Sequence, residues 1–463
     1  MALTLRIPQP ARRLTSGSTF QSLLVFAIKA VAGLSGYLLF ALIARKSGVE
    51  EFGKFSIFFS AAMMAGTAGS LGQQVFLVKE IARAQHADDA QLETAAYAFS
   101  FVSTVIGSVA SGVLFFVLVT VLYPDQAYSV AVGGGFLAVT YALSQTTLGA
   151  LRIQNRIVLA VASRDLIWRI LTSVVIALLP WLLPALSIDA GVALLSMAVS
   201  LLCIIVWHAV AIATRLPSRL SLRGAIYRRW MQLTAGLTFV AVISSADLYI
   251  FSIVLGKIVP ASEVGPFFAA MKTVEVVNLL LMSVALVVGP NIARAIAARD
   301  SRLAQIECNA AIVIQGLPAV FACLAVLAFA HQLLGLFNAS FSEHANVLYV
   351  LTIGTLVNAL AGPTVLMLQL IDLHWRQVAL QGGSLIAALA LLPMLVHEFG
   401  LVGAAYAYVL SKVVWNAAAI ISSRLKTGVD PSCLGLFGSG ALTFRQSVGE
   451  LRRALSKALH DQR

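Results

Sequence analysis

Residues 233–256 read LTAGLTFVAVISSADLYIFSIVLG, and residues 260–290 read PASEVGPFFAAMKTVEVVNLLLMSVALVVGP. Each run is longer than the roughly 20 apolar residues that a membrane-spanning helix needs. A short polar turn joins them, so the pair reads as a transmembrane helical hairpin. Asp247 sits inside the first run; Lys272, Glu275 and Asn278 follow at three-residue steps in the second. That spacing sets the three near one helix face. Ionisable groups at membrane depth are costly and face a bundle interior or a watery cavity, so the hairpin marks a pathway.

Composition extends this reading to the whole chain. Of 463 residues, 59% are hydrophobic and 11% charged, and the mean hydropathy is +0.90. A soluble domain of this size needs more charge to cover its surface, and a barrel would show short alternating segments instead. The expected class is an all-α polytopic membrane protein. The net charge of +12 is spread over segments between apolar runs, which argues for a membrane and against nucleic acid. The polar, basic start ends near Thr19, and the apolar run after it is too long for a secretory leader. Cys203, Cys308, Cys323 and Cys433 are scattered without a partner motif, which predicts small apolar filler and neither a metal site nor a disulfide framework.

Twelve spans are expected, at about 20–43, 54–78, 95–122, 127–150, 166–184, 190–213, 233–256, 265–290, 309–335, 346–370, 378–396 and 401–421. With the N-terminus inside, 24 of the 32 Lys and Arg fall on inner segments and three (Arg45, Lys46, Lys257) on outer turns. This bias predicts both termini in the cytoplasm.

The chain also repeats itself. Glu51-Phe-Gly53-Lys-Phe55 matches Glu263-Val-Gly265-Pro-Phe267 at an offset of 212 residues, and the same offset pairs Arg164 with Arg376, Gly191 with Gly403 and Ala193 with Ala405. Two six-helix lobes of equal orientation follow, with a substrate site between them. The expected organisation is an N-tail (1–19), an N-lobe (20–213), a basic linker (214–232), a C-lobe (233–421) and a cytoplasmic tail (422–463). In the tail, Phe444, Val448, Leu451, Leu455 and Leu459 recur at helical steps beside Arg445, Arg452, Arg453 and Lys457. This suits either an amphipathic helix on an anionic leaflet or a solvated tail.

With these features in place, the chain resembles the polysaccharide-transporter branch (O-antigen and exopolysaccharide flippases, Wzx-type) of the multidrug/oligosaccharidyl-lipid/polysaccharide exporter superfamily. Four stretches carry the resemblance: Ala44-Arg-Lys-Ser-Gly-Val-Glu-Glu-Phe-Gly-Lys-Phe-Ser56, Ser245-Ala-Asp-Leu-Tyr-Ile250, Glu263-Val-Gly-Pro-Phe-Phe-Ala-Ala-Met-Lys272, and Phe399-Gly-Leu-Val-Gly-Ala-Ala-Tyr-Ala-Tyr408. No one of them is diagnostic; their order and spacing carry the likeness over about residues 20–425. Pro266-Phe267 departs from the Leu-Tyr more usual in that branch. The resemblance implies a bacterial inner-membrane flippase for undecaprenyl-pyrophosphate-linked oligosaccharide, driven by a proton or sodium gradient and needing no cofactor. Its partners would be membrane lipids and the polysaccharide polymerase and chain-length proteins.

A lipid pyrophosphate crossing hydrocarbon needs a hydrated cavity with fixed positive charge. Lys29, Lys272 and Lys412 lie within spans, and either line such a cavity or snorkel and neutralise nearby acids. Arg169 and Arg152, with Arg156 and Arg164, would gather pyrophosphate at the entrance or serve as ordinary inner-side charge. Asp247 and Glu275 are candidates for ion coupling, or for static pairing with Lys272. Gln73, Gln145, Asn358, Gln369 and Asn416 suit contact with sugar hydroxyls or, better, interhelical bonding, and Gly133-Gly-Gly135 suits close helix approach or a bend. Catalytic motifs are missing: His397-Glu398 lacks a second His, and no Walker, GxGxxG or GxSxG sequence occurs. The rival readings are a drug-cation exporter of the same superfamily, which favours an acidic cavity, and a glycan polymerase or ligase, which favours a long outer loop.

Overall fold

The computed structural model describes residues 16–126, 128–214, 216 and 226–437. The N-tail up to residue 15, most of the linker and the amphipathic segment of the tail lie outside the described residues. Among the described residues there are helices and no strands. The first lobe holds α1 (Ser16–Ser47), α2 (Val49–Gly69), α3 (Gln73–His86), α4 (Ala90–Leu122), α5 (Tyr128–Ile153) and α6 (Ile157–Val161). A π-helical turn (Ala162–Ile167) then leads into α7 (Trp168–Leu182) and α8 (Ala190–Ala213). The second lobe holds α9 (Tyr227–Leu255), α10 (Ala261–Ala297), α11 (Ser301–Ala328), α12 (Ala330–Gly335), α13 (Ala345–Leu360), α14 (Thr364–Leu370), α15 (His374–Phe399) and α16 (Leu401–Thr427).

Each of the twelve expected spans coincides with helix. Ten stretches among the described residues are long and apolar enough to cross a membrane. The other two expected spans are α5 and α10, of 26 and 37 residues, ample at 1.5 Å per residue. Four spans expected to be continuous are interrupted. The second breaks between α2 and α3, where Leu71 (φ 48°) and Gly72 (φ 65°) are left-handed. The tenth breaks at Gly362 (φ 74°) and Pro363. The fifth carries the π-turn, and the ninth pauses at Phe329 between α11 and α12.

Broken backbone at membrane depth is tolerated only where protein satisfies it. Gln315 of α11 donates to the Ala359 carbonyl (2.9 Å), which Pro363, lacking an N–H, cannot serve. At the other break Gln73 N–H returns to the Ser70 carbonyl (3.0 Å). Gly69 and Gly107 hold α2 and α4 in backbone contact there: a Cβ on Gly107 would sit 2.4 Å from the Gly69 carbonyl oxygen.

The lobes pack unequally at their two ends. At the end formed by the α1–α2 and α9–α10 turns, one continuous apolar core crosses both lobes, including Phe40, Phe52 and Phe55 of the first and Phe268, Phe337 and Phe341 of the second. Their rings meet at 5–6 Å, as in Tyr37–Phe337 (5.0 Å), Phe40–Phe268 (5.3 Å) and Phe52–Phe341 (5.9 Å). Tyr37 Oη and Arg45 Nε add hydrogen bonds to the Leu333 and Leu336 carbonyls (both 2.7 Å). The two copies of the Glu-x-Gly-x-Phe repeat face each other here, Gly53 against Ala261 and Gly265 against Phe52. At the opposite end the cores are separate, one around Phe76, Phe99 and Trp230 and the others around Ile292 and Trp415.

The start of α9 departs from simple lobe membership. Trp230 is fully buried in the first lobe's core, and its Nε1 donates to the buried Glu80 of α3 (2.9 Å).

Gly53 admits no side chain, because a Cβ would lie 1.7 Å from the Ala261 carbonyl oxygen. Gly53→Ala is expected to destabilise the protein by about 1–3 kcal/mol or more, whereas Gly335→Ala, with nothing within 4 Å, leaves stability nearly unchanged. Thermal unfolding of both variants in detergent checks the difference.

Candidate functional site

A cleft of about 820 Å³, continuous with solvent, opens between α1, α2, the π-turn with α7, and α9 and α10 of the second lobe. Its polar wall is Lys29 and Tyr37 of α1, Asp165 of the π-turn, Arg169 of α7, Tyr249 of α9, and Lys272 and Glu275 of α10. Phe40, Phe59 and Trp168 supply much of the apolar wall. The cleft thus brings together four residues singled out from the sequence: Lys29, Arg169, Lys272 and Glu275.

The charges divide by partner. Lys272 Nζ donates to Glu275 Oε2 at 2.6 Å, the i,i+3 pair allowed by helical spacing. It also lies 5.1–5.5 Å from the ring centres of Phe40, Tyr249 and Phe268, within cation–π range. Asp165 is matched by Arg164 at 3.3 Å, and Arg164 lies over the Tyr141 ring (5.1 Å). Arg169 reaches across to the Ala32 carbonyl, passing the space that a Gly36 side chain would fill. Neither Lys29 nor Arg169 is in an ion pair among the described residues. The two acids in the wall therefore each have a base, and two cations are left over.

Asp247 and Lys412 lie outside this cleft and pair with each other, linking α9 to α16. Both are largely buried, and Lys412 also stacks over Tyr408 (4.8 Å). A polar chain continues through Asn416, which donates to Asn358 (3.0 Å) and to the Lys412 carbonyl (2.9 Å) and accepts from Thr364. Arg152 lies at the far end of α5, outside the cleft, with a buried Nε that has no hydrogen-bond partner. Two further buried groups carry no signal in the sequence. His208 is completely buried between Thr147 and Ser163, and Glu80 is completely buried with Trp230, Arg229 and Arg83 around it. A lone His and a lone Glu on otherwise helical segments give no spacing signal. Among the described residues no cluster of His, Cys, Asp and Glu could hold a metal ion.

These features define a two-lobed bundle with a charged cleft between its halves, and that architecture is the fold of the MATE transporters of the MOP superfamily. The inward-facing conformation of a multidrug resistance MATE family transporter superimposes with a TM-score of 0.70 at 16% identity, over 88% of this chain and 98% of that one. The outward-facing conformation of such a transporter gives 0.64 at 17% identity, over 88% and 96%. A MOP superfamily transporter from Pyrococcus furiosus, described as having a binding pocket of reverse polarity that suggests a different function, gives 0.61 at 17%, over 88% and 96%. No family model matches the chain, and no curated protein matches it. At these identities the likeness establishes the fold.

Because Asp247 and Lys412 are each other's charge partner, Asp247→Ala or Lys412→Ala alone strands a buried charge and is expected to cost about 3–5 kcal/mol. Asp247→Leu combined with Lys412→Met should recover most of that loss. Unfolding of the two single variants and the double variant measures the coupling; additive losses would mean the pair is not linked.

Proposed function

We propose that the protein is a flippase that moves an undecaprenyl-pyrophosphate-linked oligosaccharide across the bacterial inner membrane by alternating access, with both termini in the cytoplasm and an ion gradient as the drive. The observation that carries this reading is the charge balance of the cleft. Lys272 and Arg164 match Glu275 and Asp165, so Lys29 and Arg169 remain to hold an anion. A pyrophosphate in a low-dielectric cleft needs such unspent cations, and it would draw Lys272 away from Glu275. The inter-lobe core closes one end and leaves the cleft between lobes whose other ends are separately cored. That arrangement suits loading from the side of the termini. Asp247 is the candidate coupling group: a proton or sodium ion taken by its carboxylate would release Lys412 and loosen α9 from α16.

One observation favours the rival, export of an organic cation. Phe40, Tyr249 and Phe268 surround the Lys272 ammonium, and an aromatic cage beside Glu275 would accept a drug cation if Lys272 moved aside. The fold suits both substrates equally.

Transport in proteoliposomes separates them. With purified protein and a lipid-pyrophosphate oligosaccharide, the parent should translocate, and Lys29→Ala and Lys272→Ala should each lose tenfold or more, from about 1.5–3 kcal/mol for a hydrogen bond to a charged group. Full activity in both variants keeps the flippase and discards this site. An inactive parent that exports a lipophilic cation hands the case to the rival.

A further inference from the structure

The Ala162–Ile167 π-turn fixes which side chains of the fifth span meet the cleft. A π-turn accommodates one extra residue, and one residue of register is about 100° of helix rotation at 3.6 residues per turn. Ala160 and Val161 before the turn are buried in the first lobe, while Asp165, Trp168 and Arg169 line the cleft. Were the turn to relax to ordinary α-helix, the latter three would swing away from α1 together.

One side chain bonds directly into the widened turn. Ser163 Oγ lies 2.5 Å from His208 Nε2 of α8, and the other ring nitrogen, Nδ1, lies 2.9 Å from Thr147 Oγ1 of α5. Ser163, Thr147 and His208 are all buried, and His208 and Ser163 are completely so. Each hydroxyl also has a helix carbonyl in reach, Leu159 for Ser163 (2.6 Å) and Ser144 for Thr147 (3.1 Å). A neutral imidazole has one N–H and one bare nitrogen. The hydroxyl facing the N–H turns its own hydrogen to the carbonyl, and the other hydroxyl donates to the ring. Either tautomer therefore satisfies every group, and the ring bridges α5 and α8 to the turn without a buried orphan.

We infer that His208 is a positioning residue: it latches the π-turn through Ser163 and so holds Arg169 and Asp165 at the cleft wall. His208 does not itself touch the cleft. Its effect on ligand rests on the anion-binding reading above; its effect on the turn does not.

The test uses two readouts on the full-length protein. A cysteine replacing Asp165, in a background without the four native cysteines, reports the turn by its rate of reaction with a membrane-impermeant thiol reagent. His208→Ala and Ser163→Ala should each change that rate about tenfold. His208→Gln, whose amide reaches the Nε2 position, should restore it, and His208→Asn, which reaches only towards Thr147, should not. Binding of a short-chain isoprenyl pyrophosphate, measured with Asp165 intact, should weaken about tenfold in His208→Ala and stay within twofold in His208→Gln. Unchanged cysteine reactivity in both His208→Ala and Ser163→Ala overturns the latch, and Ser163→Ala, which deletes a single oxygen, keeps the test open should the His208 variant misfold. If Arg169→Gln binds the pyrophosphate as the parent does, the anion reading fails while the cysteine rates still decide the latch.

Discussion

Hydrocarbon offers no hydrogen bonds, so every charge and every freed backbone group inside the spans must find its partner in the protein or in a water-filled cleft. The architecture follows from that requirement. Asp247 meets Lys412, and Glu275 meets Lys272. Glu80 takes the Trp230 indole N–H with Arg229 and Arg83 nearby. Where the backbone breaks, the Gln315 amide joins the Gly362 N–H on the Ala359 carbonyl. Lys29 and Arg169, which have no ion-pair partner among the described residues, face the cleft, and Arg169 also bonds to the Ala32 carbonyl.

The same requirement shapes how the lobes hold each other. At the closed end the contacts are rings and a few hydrogen bonds, each aromatic pair worth about 0.5–1.5 kcal/mol beyond its burial. No ion pair crosses there among the described residues; the charged contacts across the seam include Arg45 on the Leu336 carbonyl and Lys257 over the Tyr123 ring (3.5 Å), and parting the rings mainly exposes apolar surface. Lipid can cover apolar surface; it cannot cover a bare carboxylate. A seam of phenylalanines therefore costs less to part in a membrane than a seam of ion pairs. The α9 helix is treated differently, with Trp230 locked into the first lobe at one end and Asp247 tied to α16 further along. Gly236, between these two anchors, has nothing within 4 Å of a Cβ.

How much of this was legible follows from what a sequence encodes. Long apolar runs have one cheap solution in a bilayer, so the helices, their order and the hairpin at 233–290 could be read directly. The pairing of Lys272 with Glu275 was open to reading because helical spacing alone brings them together. Asp247 with Lys412 was not, since 165 residues separate them and only tertiary packing chooses between Lys412 and Lys272 as the partner. Gly362-Pro363 is a breaker pair inside the run read as one span at 346–370, whereas Leu71 carries no such signal: a leucine takes a left-handed conformation only when packed neighbours impose it. The π-turn at 162–167 left no mark, because an extra residue in a helix looks like any other residue. His208 carries no mark for the same reason, as its meaning lies in Thr147 and Ser163, on two other helical segments.

The two lobes use their charges unequally, although the repeat would give them equal scaffolds. The first lobe supplies Lys29 and Arg169 to the cleft without acids to match. The second closes Asp247 on Lys412 and extends the contact through Asn416 to Asn358 and Thr364. A closed, buried pair cannot greet a bulky ligand, but it can change state when a small ion reaches the carboxylate. Open cations do the reverse: they attract an anionic headgroup and have no acid to release. On the flippase reading proposed above, the two behaviours must be kept apart, because a substrate phosphate within reach of the Asp247–Lys412 pair would take the lysine for itself. Placing one on α1 and α7 and the other between α9 and α16 provides that separation. The helix shared by both lobes, α9, lines the cleft with Tyr249 and carries Asp247 two residues away, and so on the same reading is the element through which either event reaches the other.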